Sequence, residues 1–305
     1  MGIYFSGNKN KTSGGCFWEH SCSKHWPNGG TTDLKSLLEI NRDNTQIFVW
    51  NGGVGGCADF LSEAKELGHK DISIVEQGLV PQHSHLRFLS KPVGEEVNLS
   101  QTETPSERFV EWLRATENGM AELEEYVYDC LSLTSAGLYA NQPPRWKGGR
   151  IRSIKNKVVI VMQLAHDASL SSLEKPEKQF MPLMVDKLKE IYGDNYNNLD
   201  IVLCPHPKDR KGGRRYYRGC IEKYRWPKQI STTEQCIDAE LVIGYNSTIL
   251  YELALRDIPV VAIYKNHPLN FNNNKWSLAH KIRKSQFNPW KDTLTEILNK
   301  KKLCE

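Results

Sequence analysis

The order of apolar and polar positions along the chain predicts short buried strands that alternate with amphipathic helices. Apolar runs bounded by polar or glycine residues are typical of strands, and one stretch of the first half has apolar residues at helical spacing and ends at Gly68. Strand, helix and strand in this order form a βαβ unit, which predicts a parallel sheet with its ligand cleft at the carboxyl ends of the strands. For the first half we predict strands over residues 3–6, 46–50 and 71–76, a helix over residues 57–67, and a long helix or a helix pair over residues 106–131.

The same alternation returns in the second half, after a polar stretch that breaks the periodicity. This stretch begins at Pro143-Pro144 and continues with basic and glycine residues, as interdomain linkers do. We therefore predict an α/β protein with an N-terminal domain over residues 1–142, a basic linker over 143–157 and a C-terminal domain over 158–305, the two βα domains facing a central cleft. The predicted elements of the second half are strands over residues 158–163, 200–204, 241–245 and 259–264, and helices over 177–192, 247–256 and 290–298.

Composition places the chain among ordinary globular proteins. Its 305 residues are 39% hydrophobic, 10% aromatic and 25% charged, which excludes a disordered chain, a collagen-like fibre and a disulfide-dense miniprotein. The longest apolar runs fall far short of the ~20 residues that cross a bilayer, and the N-terminus has no basic region followed by an apolar stretch. We therefore expect a cytoplasmic protein without a transmembrane segment.

Eight cysteines are scattered along the chain, and without a secretory signal we expect reduced thiols rather than a disulfide framework. Cys16, His20, Cys22 and His25 lie close together in sequence and are four candidate zinc ligands. Their spacing matches no common zinc finger, and the segment is rich in Gly, Ser, Asn and Lys, which favours an irregular loop. Zinc at these residues stays open as the alternative.

Basic residues are distributed unevenly, although the net charge is only +4. Residues 208–228 contain nine Lys or Arg against two acidic residues, and residues 145–157 contain six basic residues and no acidic one. Outside these two segments the chain is net negative. An anionic partner is therefore expected near both. Aromatic residues that could stack on bases are interleaved in the first segment, namely Tyr216, Tyr217, Tyr224 and Trp226.

Polar residues follow three predicted strands of the second half, where an open parallel sheet binds its ligand. The first such end begins at Gln163 and runs to Ser169, with Asp167 between them. Asp167 is a candidate general base, and Gln163 or Ser169 is its expected hydrogen-bonding partner. The alternative is that Asp167 only caps the following turn. At the second end, two prolines hold His206 at a strand tip, which suits contact with a nucleotide phosphate or sugar.

The third strand end leads from Gly244 into a predicted helix. Asn246 or Ser247 is expected to cap that helix, so that free N–H groups of its first turn form an anion site. Glu252 lies about one turn further on and can reach a ribose hydroxyl. The alternative is a capped core helix with a solvated Glu252.

A glycine-rich loop separates the second predicted strand from its helix. It contains Gly52 and Gly53 and can bring backbone N–H groups close to a phosphate or a sugar. The loop lacks the GxGxxG spacing, and a tight turn without a ligand is the alternative.

These motifs, taken together, resemble the capsular-polysaccharide synthesis proteins that include the bacterial β-Kdo transferases. The resemblance rests on Gln163-Leu-Ala-His-Asp-Ala-Ser169, on Pro205-His206-Pro207, and on Asn246-Ser-Thr-Ile-Leu-Tyr-Glu252. In that family, elements of these types recur in this order and at similar separations. Glu76-Gln-Gly-Leu-Val-Pro81 is similar to the family's Glu-x-Gly-x-x-Pro segment. The match covers the second half well and the first half thinly.

The resemblance implies a GT-B-like fold, in which two Rossmann-like domains hold a nucleotide-sugar as co-substrate. It implies an inverting, metal-independent glycosyltransferase without a further cofactor, using a CMP-Kdo-like or UDP-sugar donor, with Asp167 deprotonating the acceptor hydroxyl. The residues expected at the donor are Gln163, Ser169, His206, Pro207, Asn246, Ser247, Thr248 and Glu252. Those expected at the acceptor or its anionic groups are Gly52, Gly53, Glu76, Lys208, Arg210, Arg214, Arg215 and Arg218.

Alternatives stay open for the chemical class of the acceptor and for whether the protein is an enzyme. An acidic glycan, free or lipid-linked, follows from the resemblance. The basic segment at residues 208–228 instead favours DNA with a hydroxymethylated base flipped into the cleft, as in phage-type DNA glycosyltransferases. A third reading is a non-enzymatic nucleic-acid-binding protein on the same fold. The oligomeric state is left open.

Overall fold

The computed structural model divides the chain into two compact units. The first unit consists of Met1–Gly78, Ser84–Glu96 and Lys284–Glu305, and the second of Leu79–His83 and Val97–Arg283. The residues that the structure describes are 2–6, 30–32, 36, 38–40, 42–43, 45–50, 56–80, 85–89, 112–132, 152–206, 235–265, 267–270, 274–288 and 291–302.

Strands and helices alternate along these residues. The elements in chain order are β1 (Gly2–Ser6), β2 (Gly30–Thr32), β3 (Thr45–Trp50), α1 (Gly56–Glu66), β4 (Asp71–Gln77), β5 (Leu86–Leu89), α2 (Gly119–Ser132), β6 (Ile154–Val161), α3 (Pro176–Tyr192), β7 (Asp200–Cys204), β8 (Ala239–Gly244), α4 (Ile249–Leu255), β9 (Val260–Ala262), α5 (Lys275–Ser285), β10 (Gln286–Phe287) and α6 (Leu294–Lys302). Short 3₁₀ helices cover Ala168–Leu170, Gly193–Asn198 and Pro268–Asn270.

The described part of the first unit has a six-stranded sheet in the order β10-β5-β4-β3-β1-β2. Strands β2, β1, β3 and β4 pair in parallel, whereas β5 runs antiparallel to β4 and β10. Every residue of β3 is buried, as expected for a strand covered on both faces. Phe60 of α1 packs with Ile47 on one face, and Phe287 and Ile297 pack with Phe88 on the other.

Helix α1 ends where the sequence predicts. Gly68 has a φ of +80°, a left-handed conformation that glycine adopts at little cost. The His69 N–H donates to the Ala64 carbonyl at 3.1 Å, and the Gly68 N–H donates to the Lys65 carbonyl at 3.0 Å. These bonds satisfy carbonyls at the end of the helix and turn the chain into β4.

The second unit contains a parallel sheet in the order β7-β6-β8-β9 among its described residues. Phe180 and Met184 of α3 pack on one face of this sheet, and Leu250 and Leu253 of α4 pack on the other. Because the four strands are parallel, their carboxyl ends lie at the same edge. The α/β prediction is confirmed, and the predicted strands and helices of this half occur with bounds displaced by up to four residues.

Residues 154–157, which the sequence assigned to a basic linker, belong to strand β6. The pairing of β6 with β8 shifts register between Ile154 and Val158. Within this irregularity Asn156 has a φ of 64°, and its N–H donates to Glu240 Oε2 at 2.7 Å. Lys157 is buried and pairs with Asp238. Lys157 therefore contributes to the sheet, whereas the sequence placed it in a linker.

The division into units also differs from the predicted boundary at residues 143–157. Residues 284–302 belong to the first unit, because β10 pairs with β5 and Lys301 of α6 forms an ion pair with Asp71 at 2.6 Å. Helix α2 belongs to the second unit, where Leu123 and Val127 pack against Ile282 of α5. No helix in the described part of the chain is long and apolar enough to cross a membrane.

Candidate functional site

The candidate site lies at the carboxyl edge of the sheet in the second unit. Hydrogen bonds continue the sheet beyond the strand ends: the Met162 N–H donates to the Cys204 carbonyl at 2.9 Å, and the Ile263 N–H donates to the Gly244 carbonyl at 2.8 Å. The polar segments that follow β6, β7 and β8 are therefore held side by side. The strand-end argument from the sequence correctly brings these three segments together.

Gln163 connects two of these segments. It is buried, and its side-chain Oε1 accepts a hydrogen bond from the Asn246 N–H at 3.0 Å. Its Nε2 donates to Ser169 Oγ at 2.6 Å, and Ser169 Oγ donates to Asp167 Oδ1 at 2.8 Å. Both Gln163 and Ser169 are thus partners in the hydrogen-bond chain that ends on Asp167. Both side chains therefore form hydrogen bonds within the protein.

Asp167 also caps the 3₁₀ helix that follows it. The Ser169 N–H donates to Asp167 Oδ1 at 2.9 Å, so this oxygen receives two hydrogen bonds from one residue. The capping alternative therefore describes Oδ1 correctly. The side chain is half-buried, and the two bonds fix the plane of its carboxylate. Asp167 therefore stays a candidate general base, with its carboxylate held in one orientation at a strand end.

His206 follows the buried pair Cys204-Pro205 at the end of β7 and is itself half-buried. The His206 imidazole therefore lies at a strand end, as the sequence predicts. Pro207 lies outside the described residues.

The start of helix α4 differs from the prediction. Thr248, not Asn246 or Ser247, occupies the N-cap position, and no side-chain cap hydrogen bond forms there. The Leu250 N–H donates to the Ser247 carbonyl, and the Tyr251 N–H donates to the Thr248 carbonyl, both at 3.1 Å. The expected row of free N–H groups is wrong for these two residues, because a tight turn precedes the helix and engages them.

Glu252 is neither solvated nor at a rim. The Glu252 and Arg256 side chains are 2% and 1% exposed, and Arg256 Nη2 donates to Glu252 Oε1 at 3.2 Å. The same Nη2 donates to the Leu131 carbonyl at the end of α2 at 3.1 Å. The expectation of a solvated Glu252 is wrong, because the carboxylate is buried in an ion pair with Arg256. The expected contact with a ribose hydroxyl stays a prediction.

Two tyrosines and a serine lie next to this site, and the sequence analysis did not single them out. The Tyr245 and Ser172 hydroxyls are 2.8 Å apart and share a hydrogen bond. The rings of Tyr245 and Tyr264 are tilted with centroids 5.8 Å apart. The position of Tyr245, directly after a strand, was the available signal.

Two thiols are buried beneath the site. Cys204 ends β7, and Cys236 precedes β8. The hydrogen bond between their side chains and their burial raise the pKa of Cys236. Both are free, as are Cys57 and Cys130.

Among the residues expected at the acceptor, Glu76 lies in the described part of the first unit. It is half-buried on β4 and faces the buried Arg87 on β5, which in turn faces Gln286 on β10. Burial, followed by the charge of Glu76, raises the pKa of the Cys57 thiol. Glu76 therefore belongs to a polar row across three strands, and its role at the acceptor stays a prediction.

Several predicted residues lie outside the described part of the chain. These are the two loop glycines, the zinc alternative and the basic segment: Gly52, Gly53, Cys16, His20, Cys22, His25, Lys208, Arg210, Arg214, Arg215 and Arg218. They stay predictions from the sequence. Within the described residues, no group of three or more His, Cys, Asp or Glu side chains could hold a metal ion.

Parallel strands with helices on both faces and polar strand ends define an α/β, Rossmann-like class of protein. One solved structure with this fold is the beta Kdo 2,7 transferase KpsC of Thermosulfurimonas dismutans, with a TM-score of 0.53, 14% identity, and coverage of 100% of both chains. Another match is UDP-GlcNAc 2-epimerase of Methanocaldococcus jannaschii, with a TM-score of 0.33 and 14% identity over 88% of this chain and 75% of that chain. The likeness to the transferase shows a GT-B-like fold. No protein-family model and no curated protein matches the chain.

Proposed function

We propose that the protein is an inverting glycosyltransferase that moves a sugar from a nucleotide-activated donor to a hydroxyl acceptor. The observation that carries this proposal is the hydrogen-bond chain from Asn246 through Gln163 and Ser169 to Asp167, which orients one carboxylate at a ligand-binding sheet edge. The fold shared with a Kdo transferase supports the same reaction class.

The proposed reaction is a single displacement. The acceptor oxygen attacks the anomeric carbon of the donor sugar as the bond from that carbon to the phosphate oxygen breaks, and Asp167 takes the acceptor proton. Gln163 and Ser169 act through Asp167 by fixing its Oδ1. The donor phosphate and sugar would contact His206 and the segment from Asn246 to Thr248, which lie at the same sheet edge. The leaving phosphate is stabilised without a metal by backbone and basic groups.

The donor is proposed to be CMP-Kdo or a similar nucleotide-sugar, with a UDP-sugar as the second choice. A thermal-shift screen of CMP, CDP, UMP and UDP, with AMP and ADP as controls, tests this directly, because a ligand at 100 times its Kd adds about 2.7 kcal/mol of stability. A shift with one cytidine or uridine nucleotide and none with adenosine nucleotides is expected. Absence of any nucleotide effect would contradict the proposal.

The base is tested with Asp167→Asn, which keeps an oxygen that accepts from Ser169 and so preserves the cap. Transfer should fall by about 10²–10⁴-fold, while nucleotide affinity changes less than about threefold. Asp186→Asn, on an exposed carboxylate of α3, is the matched control and should transfer at the wild-type rate. Wild-type turnover in the Asp167 variant would refute the assignment.

The acceptor is proposed to be an acidic glycan, as in capsule synthesis. An acceptor assay with an acidic oligosaccharide and with hydroxymethylated duplex DNA separates the alternatives. DNA binding through the basic segment would fall steeply with salt, at a log–log slope near −0.9 per phosphate contact. Transfer to the oligosaccharide without salt-steep DNA binding is the expected result.

A further inference from the structure

The buried pair formed by Glu252 and Arg256 joins two helices of the second unit. Glu252 lies on α4 and Arg256, one turn later, is the C-cap residue of that helix. A single guanidinium nitrogen, Nη2, donates to Glu252 Oε1 and to the Leu131 carbonyl of α2. The backbone carbonyls at a helix C-terminus carry partial negative charge. The guanidinium therefore lies between a carboxylate and the negative end of a second helix, and satisfies both.

This arrangement is costly to break from either side. Removing one partner of a buried ion pair leaves an uncompensated charge in the core, whereas replacing both by apolar residues of similar volume is often neutral or stabilising. The two side chains are at most 2% exposed, so solvent cannot replace the missing partner. A carboxylate held in this way has little freedom to meet a ligand.

Helix α4 also carries the proposed donor site at its start. The Asn246 N–H is held by Gln163, and only one residue separates Ser247 from the helix. A seven-residue helix is short, so a fixed point at Glu252 and Arg256 fixes the segment before it as well. The pair thereby connects the end of α2 to the position of residues 246–248.

We infer that Glu252 and Arg256 are positioning residues that anchor α4 to α2 and so hold the 246–248 segment in its donor-binding position, and that the Glu252 carboxylate does not contact the donor. This inference rests on the proposed function. It replaces the ribose contact that the helical spacing of Glu252 predicts, and it assigns a role to Arg256, which the motif comparison left unused.

The experiment compares melting temperature and nucleotide affinity in three variants of the full chain. The probe is CMP or UDP, depending on which of the two the wild type binds. Calorimetry measures its affinity for each variant. Arg256→Met should lower the melting temperature by about 10 °C and weaken nucleotide binding more than tenfold, although the carboxylate remains. The double variant Glu252→Leu/Arg256→Met should recover both properties, with affinity within threefold of the wild type.

Glu252→Gln separates a direct contact from a positioning role in a second way. The amide oxygen still accepts from Arg256, so nucleotide affinity should stay within threefold of the wild type. The melting temperature should be lower, because the buried guanidinium loses the charge of its partner. Arg256→Lys keeps the cation and should partly restore both properties relative to Arg256→Met. Lys275→Met breaks the more exposed pair with Asp257, whose side chains are 24% and 64% exposed, and is the matched control that should change neither property.

Two outcomes would overturn the inference. One is a Glu252→Gln variant with an unchanged melting temperature that binds nucleotide more than tenfold more weakly. The other is a double variant that fails to recover binding, whether or not it folds. A wild type that binds neither nucleotide refutes the proposed function instead, and the melting temperatures then still report whether the pair anchors α4.

Discussion

His267 provides a quantitative test of the core of the second unit, because burial lowers its pKa from 6.5 to about 3. The imidazole is fully buried, and its ring stacks on the Tyr251 ring with centroids 4.8 Å apart. Its Nδ1 accepts a hydrogen bond from the Leu269 N–H at 3.2 Å, so the proton of the neutral ring is on Nε2. Protonation would place a charge in the core and break the bond to Leu269.

The sign of the pH dependence follows from the two pKa values. The unfolded chain binds a proton at this histidine below about pH 6.5, whereas the folded chain stays neutral down to about pH 3. The free energy of unfolding therefore falls as the pH falls through this window. At 1.36 kcal/mol per pH unit, the loss attributable to His267 is about 2 kcal/mol at pH 5 and approaches about 5 kcal/mol near pH 3.

The assay is denaturant unfolding of the wild type and of two variants without an ionisable group at this position, at pH 7.5 and pH 5. His267→Phe keeps a ring to stack on Tyr251, and His267→Asn keeps an acceptor for the Leu269 N–H. We expect the wild type to lose about 2 kcal/mol more than either variant between the two pH values. Equal losses in all three proteins, or an NMR titration of His267 with a midpoint near 6.5, would refute the reasoning.

Three further predictions concern other parts of the molecule. Gly78→Ala should destabilise the first unit by about 1–3 kcal/mol in denaturant unfolding, because a Cβ there would lie 2.6 Å from His85 Cβ and 2.9 Å from Gln286 Oε1. Burial and Glu240 raise the pKa of Tyr192 to about 12. Ultraviolet titration should therefore show one phenol that ionises late and is missing in Tyr192→Phe. The stability that Tyr192 contributes should be lost above pH 10, where the unfolded chain releases this proton before the folded chain does. Transfer should be unchanged by EDTA and by added Mg²⁺; loss of activity with EDTA would contradict the metal-independent mechanism.

The local pattern of the sequence predicts the strands of the second unit well. The run from Val158 to Met162 is apolar and wholly buried, and such runs are recognisable without knowledge of their neighbours. Of the two partners expected for Asp167, Ser169 bonds to it directly, whereas Gln163 bonds to Ser169. The other bond of Gln163, to the Asn246 N–H, joins residues 83 positions apart and has no local signal.

Long-range contacts explain the parts that the sequence did not predict. Strand β10 has two residues and exists because β5 offers an antiparallel partner about 200 residues earlier, so no local pattern marks it. No ion pair between Glu252 and Arg256 was predicted from the sequence, and pairs at this spacing on a helix are usually exposed. The burial of this pair depends on α2, whose end supplies the Leu131 carbonyl. The two units also differ from the domains predicted on either side of residues 143–157, since tertiary pairing assigns the C-terminal helix to the first unit.

The pairing of β10 with β5 has a consequence for synthesis on the ribosome. Phe287 of β10 stacks on Phe88 of β5 with centroids 5.0 Å apart, and the backbone of β10 occupies that edge of the sheet. At about 5–20 residues per second, roughly 10–40 s separate the translation of β5 from that of β10. During this interval the nascent first unit presents an unpaired strand edge and an uncovered Phe88, a surface prone to intermolecular pairing. We expect the first half of the chain to depend on chaperones while the second half is being made.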